Sequence, residues 1–158
     1  MNIKLFLIVI LGLSFFLYWL LPKTQLAKYL KMNEKFFYVM NIIGIICGIS
    51  GLITTLVWGE YILTSHYYEI ILLPAFLIYF YSLIIMKVKG ADNVYDEKQT
   101  YDMTRAAAIS LPYTVGVMFL LFAMSKEIIV EGLVWFPFYI YFTLTIYSVS
   151  TLVYFKKS

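Results

Sequence analysis

Charge is scarce in this chain. Asp, Glu, Lys and Arg make up only 13% of its 158 residues, against about 25% in an ordinary soluble domain. At 63% apolar, a unit this small has no interior large enough for its own side chains, so the excess must face lipid. The net charge of +3 comes without a basic stripe, which argues against nucleic acid as a partner. Cys47 is the single cysteine; it rules out an internal disulfide and any multi-cysteine metal site, and reads as a small buried residue. The sequence has no glycine-rich phosphate loop, no metal-ligand cluster and no Ser/His/Asp set. No catalytic residue, metal or cofactor is therefore expected.

What the chain does have is five long apolar runs, at 5–21, 37–58, 70–86, 107–124 and 133–155, none with an Asp, Glu, Lys, Arg or His in its interior. Each is long enough to cross a hydrocarbon core about 30 Å thick, which takes roughly 17–25 helical residues. The runs lack the apolar/polar alternation of a membrane barrel. Lipid offers nothing to pair with a backbone amide, so helices remain. The expected fold is an all-α, integral membrane helical bundle of five transmembrane helices in a single membrane domain over 1–158. The first run ends at Trp19-Leu20-Leu21-Pro22-Lys23 with no small-x-small cleavage site, so it reads as a retained span rather than a signal peptide. The absence of ionisable groups from the runs argues against a transporter driven by protons or voltage.

Lysine and arginine placement sets the orientation. The first connection carries Lys23, Lys28, Lys31 and Lys35, and the third carries Lys87, Lys89, Lys98 and Arg105. The second has none, the fourth only Lys126, and the tail ends in Lys156 and Lys157. Segments 22–36 and 87–106 are thus expected in the cytoplasm with the C-terminus, and the N-terminus outside. Trp19, Trp58 and Trp135 fall near span ends, where indoles favour the interface. Segment 24–35 sets Leu26, Tyr29, Leu30 and Met32 among lysines; it reads either as an amphipathic helix on anionic lipid or as a plain basic loop. The last four spans form two hairpins with similar outer turns, Glu60-Tyr-Ile-Leu and Glu127-Ile-Ile-Val, a likeness too short to establish a parallel repeat.

The second span has the best patterned face. Asn41, Gly44, Gly48, Gly51 and Thr55 recur three and four residues apart, on one side of a helix. Small residues let helix backbones approach closely, which matters where lipid gives no hydrophobic drive. The face serves either packing within the chain or a protein partner. Pro74, Pro112 and Pro137 are read as lying near span starts, where proline can bend the axis. Tyr79, Tyr81, Tyr113, Tyr139, Tyr141 and Tyr147 lie within spans, and a buried phenol needs a partner. His66 is the one histidine, with Glu60 and Glu69 near it in sequence; these three are the candidates for an outer site, against the plainer reading of a solvated loop.

The third connection concentrates what charge there is. Asp92 or Asn93 suits a helix cap, Asp96 and Glu97 its first turn, and Lys98–Asp102 and Asp102–Arg105 are spaced to pair. The segment reads as a cytoplasmic helix running unbroken into the fourth span, with Asp96, Glu97, Gln99, Asp102 and Arg105 as candidate docking residues. Tyr95-Asp-Glu-Lys-Gln99, followed by Arg105-Ala-Ala-Ala108 and an apolar span, resembles the Asp-Glu-Arg-Gln loop of a broad group of small uncharacterised multi-pass bacterial membrane proteins, with Lys98 where arginine is usual. That resemblance implies a bacterial cytoplasmic membrane and a regulatory setting, and no chemistry. The first expectation for function is a non-enzymatic interaction, sensor, immunity or regulatory subunit. The alternative is a transporter or lipophile-binding protein with a cavity lined by aromatic and hydroxyl groups. Expected partners are the lipid bilayer and a membrane or cytoplasmic protein or a second copy of the chain.

Overall fold

A computed structural model describes residues 3–24, 33–59, 61–89, 97–124 and 134–157. Its elements are α1 (Ile3–Leu20), closed by a 3-10 turn at Leu21–Lys23, then α2 (Glu34–Trp58), a short α3 (Tyr61–Thr64), α4 (Tyr67–Lys89), α5 (Glu97–Met124) and α6 (Trp135–Lys157). Five of these helices are long and apolar enough to cross a membrane.

Local chemistry explains where the elements begin and end. Asn33 caps α2 from an extended conformation, its Oδ1 accepting from the Phe36 amide at 2.7 Å. Such a cap stabilises a helix by about 1 kcal/mol. Gly59, at φ 51°, closes the other end, its amide donating to the Thr55 carbonyl at 3.1 Å. A positive φ there is open to glycine without a Cβ clash. His66 takes a positive φ of 60° between α3 and α4. In a histidine that conformation is uncommon.

Two expectations about boundaries are corrected. Pro112 does not lie near a helix start, because α5 already begins at Glu97 and the proline falls in its interior. The carbonyl four residues earlier loses its helical donor there, as at Pro74 inside α4; Pro137 alone sits in a first turn. Glu34 and Lys35 belong to the capped start of α2 rather than to a surface segment. Residues 25–32 of that segment, the cap at 92–93, and Glu60 and 127–130 of the repeated turns lie outside the described residues.

The helices alternate in direction, as side-chain contacts from end to end show. Phe37 at the start of α2 meets Phe155 near the end of α6, while Trp58 at the end of α2 meets Tyr67 at the start of α4. Tyr18 near the end of α1 is reached by Lys87 near the end of α4, and Leu7 near the start of α1 shares a groove with Glu69 and Leu72 near the start of α4, so these two helices run parallel. Helix α2 lies between α6 and α4, α5 packs on the far side of α6, and α1 touches chiefly α4. A cluster of Phe37, Met40 and Ile85, with Phe36, Tyr81, Met103 and Phe155 around it, fills one end. That end also gathers all six described basic side chains: Lys23, Lys35, Lys87, Lys98, Arg105 and Lys156. At the opposite end, around His66 and Glu69, no described Lys or Arg side chain is found.

Candidate functional site

The patterned face of α2 is buried inside the chain. Asn41, Gly44, Gly48, Gly51 and Thr55 all face inward. A Cβ added at Gly44 would strike the Ser148 hydroxyl, one at Gly48 the Thr145 hydroxyl, and one at Gly51 the Tyr141 ring. The missing side chains of α2 thus make the space that α6 fills with hydroxyl and phenol groups. Three glycines on one side of a helix leave its backbone nearly bare there, and a neighbouring helix gains dispersion contact by coming close. Thr55 satisfies its own hydroxyl on the Gly51 carbonyl at 2.7 Å and closes the face at its end.

Along this seam the buried polar groups pair with one another. The Tyr79 hydroxyl of α4 donates to Asn41 Oδ1 at 3.4 Å and lies 3.0 Å from Ser148 Oγ, so one phenol ties α2, α4 and α6 together. Asn41 donates in turn to the Phe37 carbonyl at 2.9 Å. Nearer the other end, the Tyr141 hydroxyl donates to the Tyr68 carbonyl at 2.6 Å, and the two rings meet edge to face. The sequence marks Tyr79 and Tyr141 as phenols in need of partners. Thr145 and Ser148 were missed, although with Tyr141 and Thr151 they recur three and four residues apart on one side of α6, a spacing that could have found them.

The candidate docking set splits. Glu97 and Arg105 are exposed, whereas Gln99 and Asp102 are only 4% and 2% exposed. The last two therefore leave the docking surface. With Ala106, Ser110 and Thr114 they form a buried stripe on α5, at three- and four-residue spacing, that seats the helix. Thr143 of α6 donates to Thr114 across this contact at 3.5 Å. Lys98 stands over the Phe155 ring at 4.8 Å and Arg105 over the Tyr154 ring at 4.4 Å. The outer face of the same stretch carries Glu97, Tyr101, Thr104 and Arg105, all exposed. Tyr101 is a surface residue the sequence reading passed over. Asp96 lies outside the described residues.

At the opposite end, His66 Nδ1 lies 3.2 Å from Glu69 Oε1. The other carboxylate oxygen, Oε2, is buried and has no hydrogen-bond partner. Leaving such an oxygen unmatched costs roughly 1–3 kcal/mol, and more when it is charged. Glu69 stands at the head of a groove between α1 and α4, about 180 Å³ in volume and otherwise apolar. The third member of this trio, Glu60, lies outside the described residues. No group of three or more His, Cys, Asp or Glu able to hold a metal is formed among the described residues.

Searches for relatives of this chain matched no family model, no curated protein and no solved structure.

Proposed function

We propose that this protein is a multi-pass subunit of a bacterial cytoplasmic membrane that acts by binding another protein, as a regulatory, sensor or immunity component, and that its docking face is the outer side of the start of α5. One observation carries this reading: the first turns of α5 are two-faced. At 1.5 Å per residue the 28 residues of α5 extend about 42 Å, roughly 12 Å beyond a hydrocarbon core of about 30 Å. The overhang carries an exposed ridge of Glu97, Tyr101, Thr104 and Arg105 on one side and the buried pair Gln99 and Asp102 on the other. An exposed tyrosine beside an arginine is a pair enriched at protein contacts. Because the inner face is seated on the bundle, a partner that pulls on the ridge moves the whole helix. The polar groups of the spans, by contrast, are engaged between helices, as at Tyr79 and Tyr141.

A photo-crosslinking residue at Tyr101 in living cells tests this. A discrete protein adduct is expected, lost when Glu97→Gln and Arg105→Ala are added. The same probe at Tyr113, exposed on α5 at lipid depth, should give no such band. Equal adducts from both positions, or none from Tyr101, would overturn the docking face. The gathering of the basic side chains supports placing that end in the cytoplasm. In a Cys47→Ala background, cysteines at Ser65 and Lys156 should then label from opposite sides of sealed cells. Labelling of both from outside would refute the orientation.

A further inference from the structure

Where α1 ends on α4, two cations stand over neighbouring rings. Lys23 Nζ lies 3.6 Å from the centre of the Trp19 ring, and Lys87 Nζ 3.8 Å from that of Tyr18. The turn Leu21–Lys23 rests on α4, so both belong to one corner of the basic end. Helix α1 has no acidic residue, and the single one in α4, Glu69, lies in its first turn at the far end. Neither lysine forms an ion pair with a described carboxylate. An ammonium has three N–H donors. Lys87 uses one on the Tyr18 carbonyl at 3.3 Å. A ring face attracts the charge as a whole, so both of these exposed side chains keep donors for an acceptor. The setting has the same sign. Counted over the sequence, segments 22–36 and 87–106 and the tail carry ten of the twelve Lys and Arg and five of the nine Asp and Glu, a net +5. The rest of the chain, with Lys4 and Lys126 against four acids, carries −2. Of the five acids at the basic end, Glu34, Glu97 and Asp102 stand on α2 and α5, and Asp92 and Asp96 lie outside the described residues.

We propose that this corner binds the headgroup of an anionic phospholipid, its phosphate accepting from Lys23 and Lys87 while its acyl chains lie along α1. Charge-assisted bonds to phosphate are what basic groups between helix ends at a membrane surface offer. The excess of positive charge selects an anionic headgroup over a zwitterionic one, because a choline or ethanolamine would bring a further cation to the corner. The ring contacts hold the ammonium groups in place before the lipid arrives, which lowers the ordering cost of binding. Helix α1 touches chiefly α4, and Leu13 and Phe16 of α1 and Leu83 of α4 are exposed. Acyl chains therefore find an apolar flank beside the phosphate, which a free phosphate ion would leave unused. The corner is separate from the docking face on α5, and its test depends neither on that face nor on the orientation of the chain.

The test uses the full chain in neutral detergent micelles, titrated with phosphatidylglycerol, phosphatidylethanolamine and phosphatidylcholine of the same acyl chains. Bound lipid is counted by native mass spectrometry. The first phosphatidylglycerol should bind about tenfold more tightly than either zwitterionic lipid, as two lysines near a phosphate allow. Lys23→Gln combined with Lys87→Gln should remove that preference. Lys98→Gln combined with Lys156→Gln takes the same charge from α5 and α6, and at physiological ionic strength should change it by less than about twofold. Lys87 also holds α1 to α4, so a variant that leaves it in place is needed. If the first pair unfolds at lower temperature, Lys23→Gln alone decides, with a loss of about threefold expected. Equal losses from the two pairs would overturn the corner in favour of the charge of the whole end. Equal binding of phosphatidylcholine would overturn the anionic headgroup. Release of the lipid by excess inorganic phosphate would overturn the choice of a lipid.

Discussion

In the most apolar 18-residue stretch of α1 6% of residues are buried inside the protein, and in that of α2 39%. Both helices are apolar enough to cross a membrane, and each contains glycine in its interior. The difference lies in what the glycines face. Gly12 of α1 has nothing within 4 Å of an added Cβ, while Gly44, Gly48 and Gly51 of α2 each meet a side chain of α6. Helix α1 is held by rings and by one lysine: Phe15 and Tyr18 rest on Phe80, and Lys87 reaches the Tyr18 carbonyl at 3.3 Å and the Tyr18 ring at 3.8 Å. The lesson is that apolarity places a helix in the bilayer, whereas small residues and paired hydroxyls place it against another helix.

The sharpest way to break that comparison is to put the same side chain at both kinds of glycine. Gly48→Ile should cost about 3 kcal/mol or prevent folding, since overpacking commonly costs about 1–3 kcal/mol and sometimes more. Gly12→Ile should stay within about 0.5 kcal/mol, as exposed substitutions usually do. Thermal unfolding in detergent reads both; similar losses would show that α1 packs as tightly as α2. Ile45→Leu, on α2 but off the glycine face, serves as the control and should be neutral.

Next in size is Tyr141→Phe. It removes the hydrogen bond to the Tyr68 carbonyl and leaves the ring in place, so a loss of about 1 kcal/mol is expected in the same assay. No loss would mean that ring packing alone holds α6 to α4. The bond from Tyr79 to Ser148 should be weaker. A double-mutant cycle of Tyr79→Phe and Ser148→Ala should give a coupling of about 0.6 kcal/mol, the usual size between membrane helices. A coupling of zero would remove the node from the account of how α2, α4 and α6 are joined.

The smallest effect should come from α1. Lys87→Met takes away a cation over a ring, a contact worth about 0.5–1 kcal/mol when exposed. Amide hydrogen exchange in α1 should then quicken by roughly 2- to 5-fold, with exchange in α2 unchanged. Protection lost equally in both helices would mean that α1 is part of the central bundle.

The sequence by itself determined the five helices, their approximate ends and which small and polar residues of α2 share one face. The reason is that lipid satisfies no backbone amide, so any long uncharged run must close its own hydrogen bonds as a helix, and a three- and four-residue spacing then fixes which side chains share a face. Only the tertiary structure decided what that face meets: the groups that fill the glycine gaps, Tyr141, Thr145 and Ser148, share the four- and three-residue spacing of the glycines, but they lie about a hundred residues away along the chain, and spacing within one helix does not say which other helix it faces. It also decided the split within α5. Polarity alone marked Gln99 and Asp102 as surface groups beside Glu97 and Arg105, but the face on which α5 is seated turns the first two inward. Which face is seated is set by how two surfaces pack, a property of the pair of helices that neither helix carries in its own sequence.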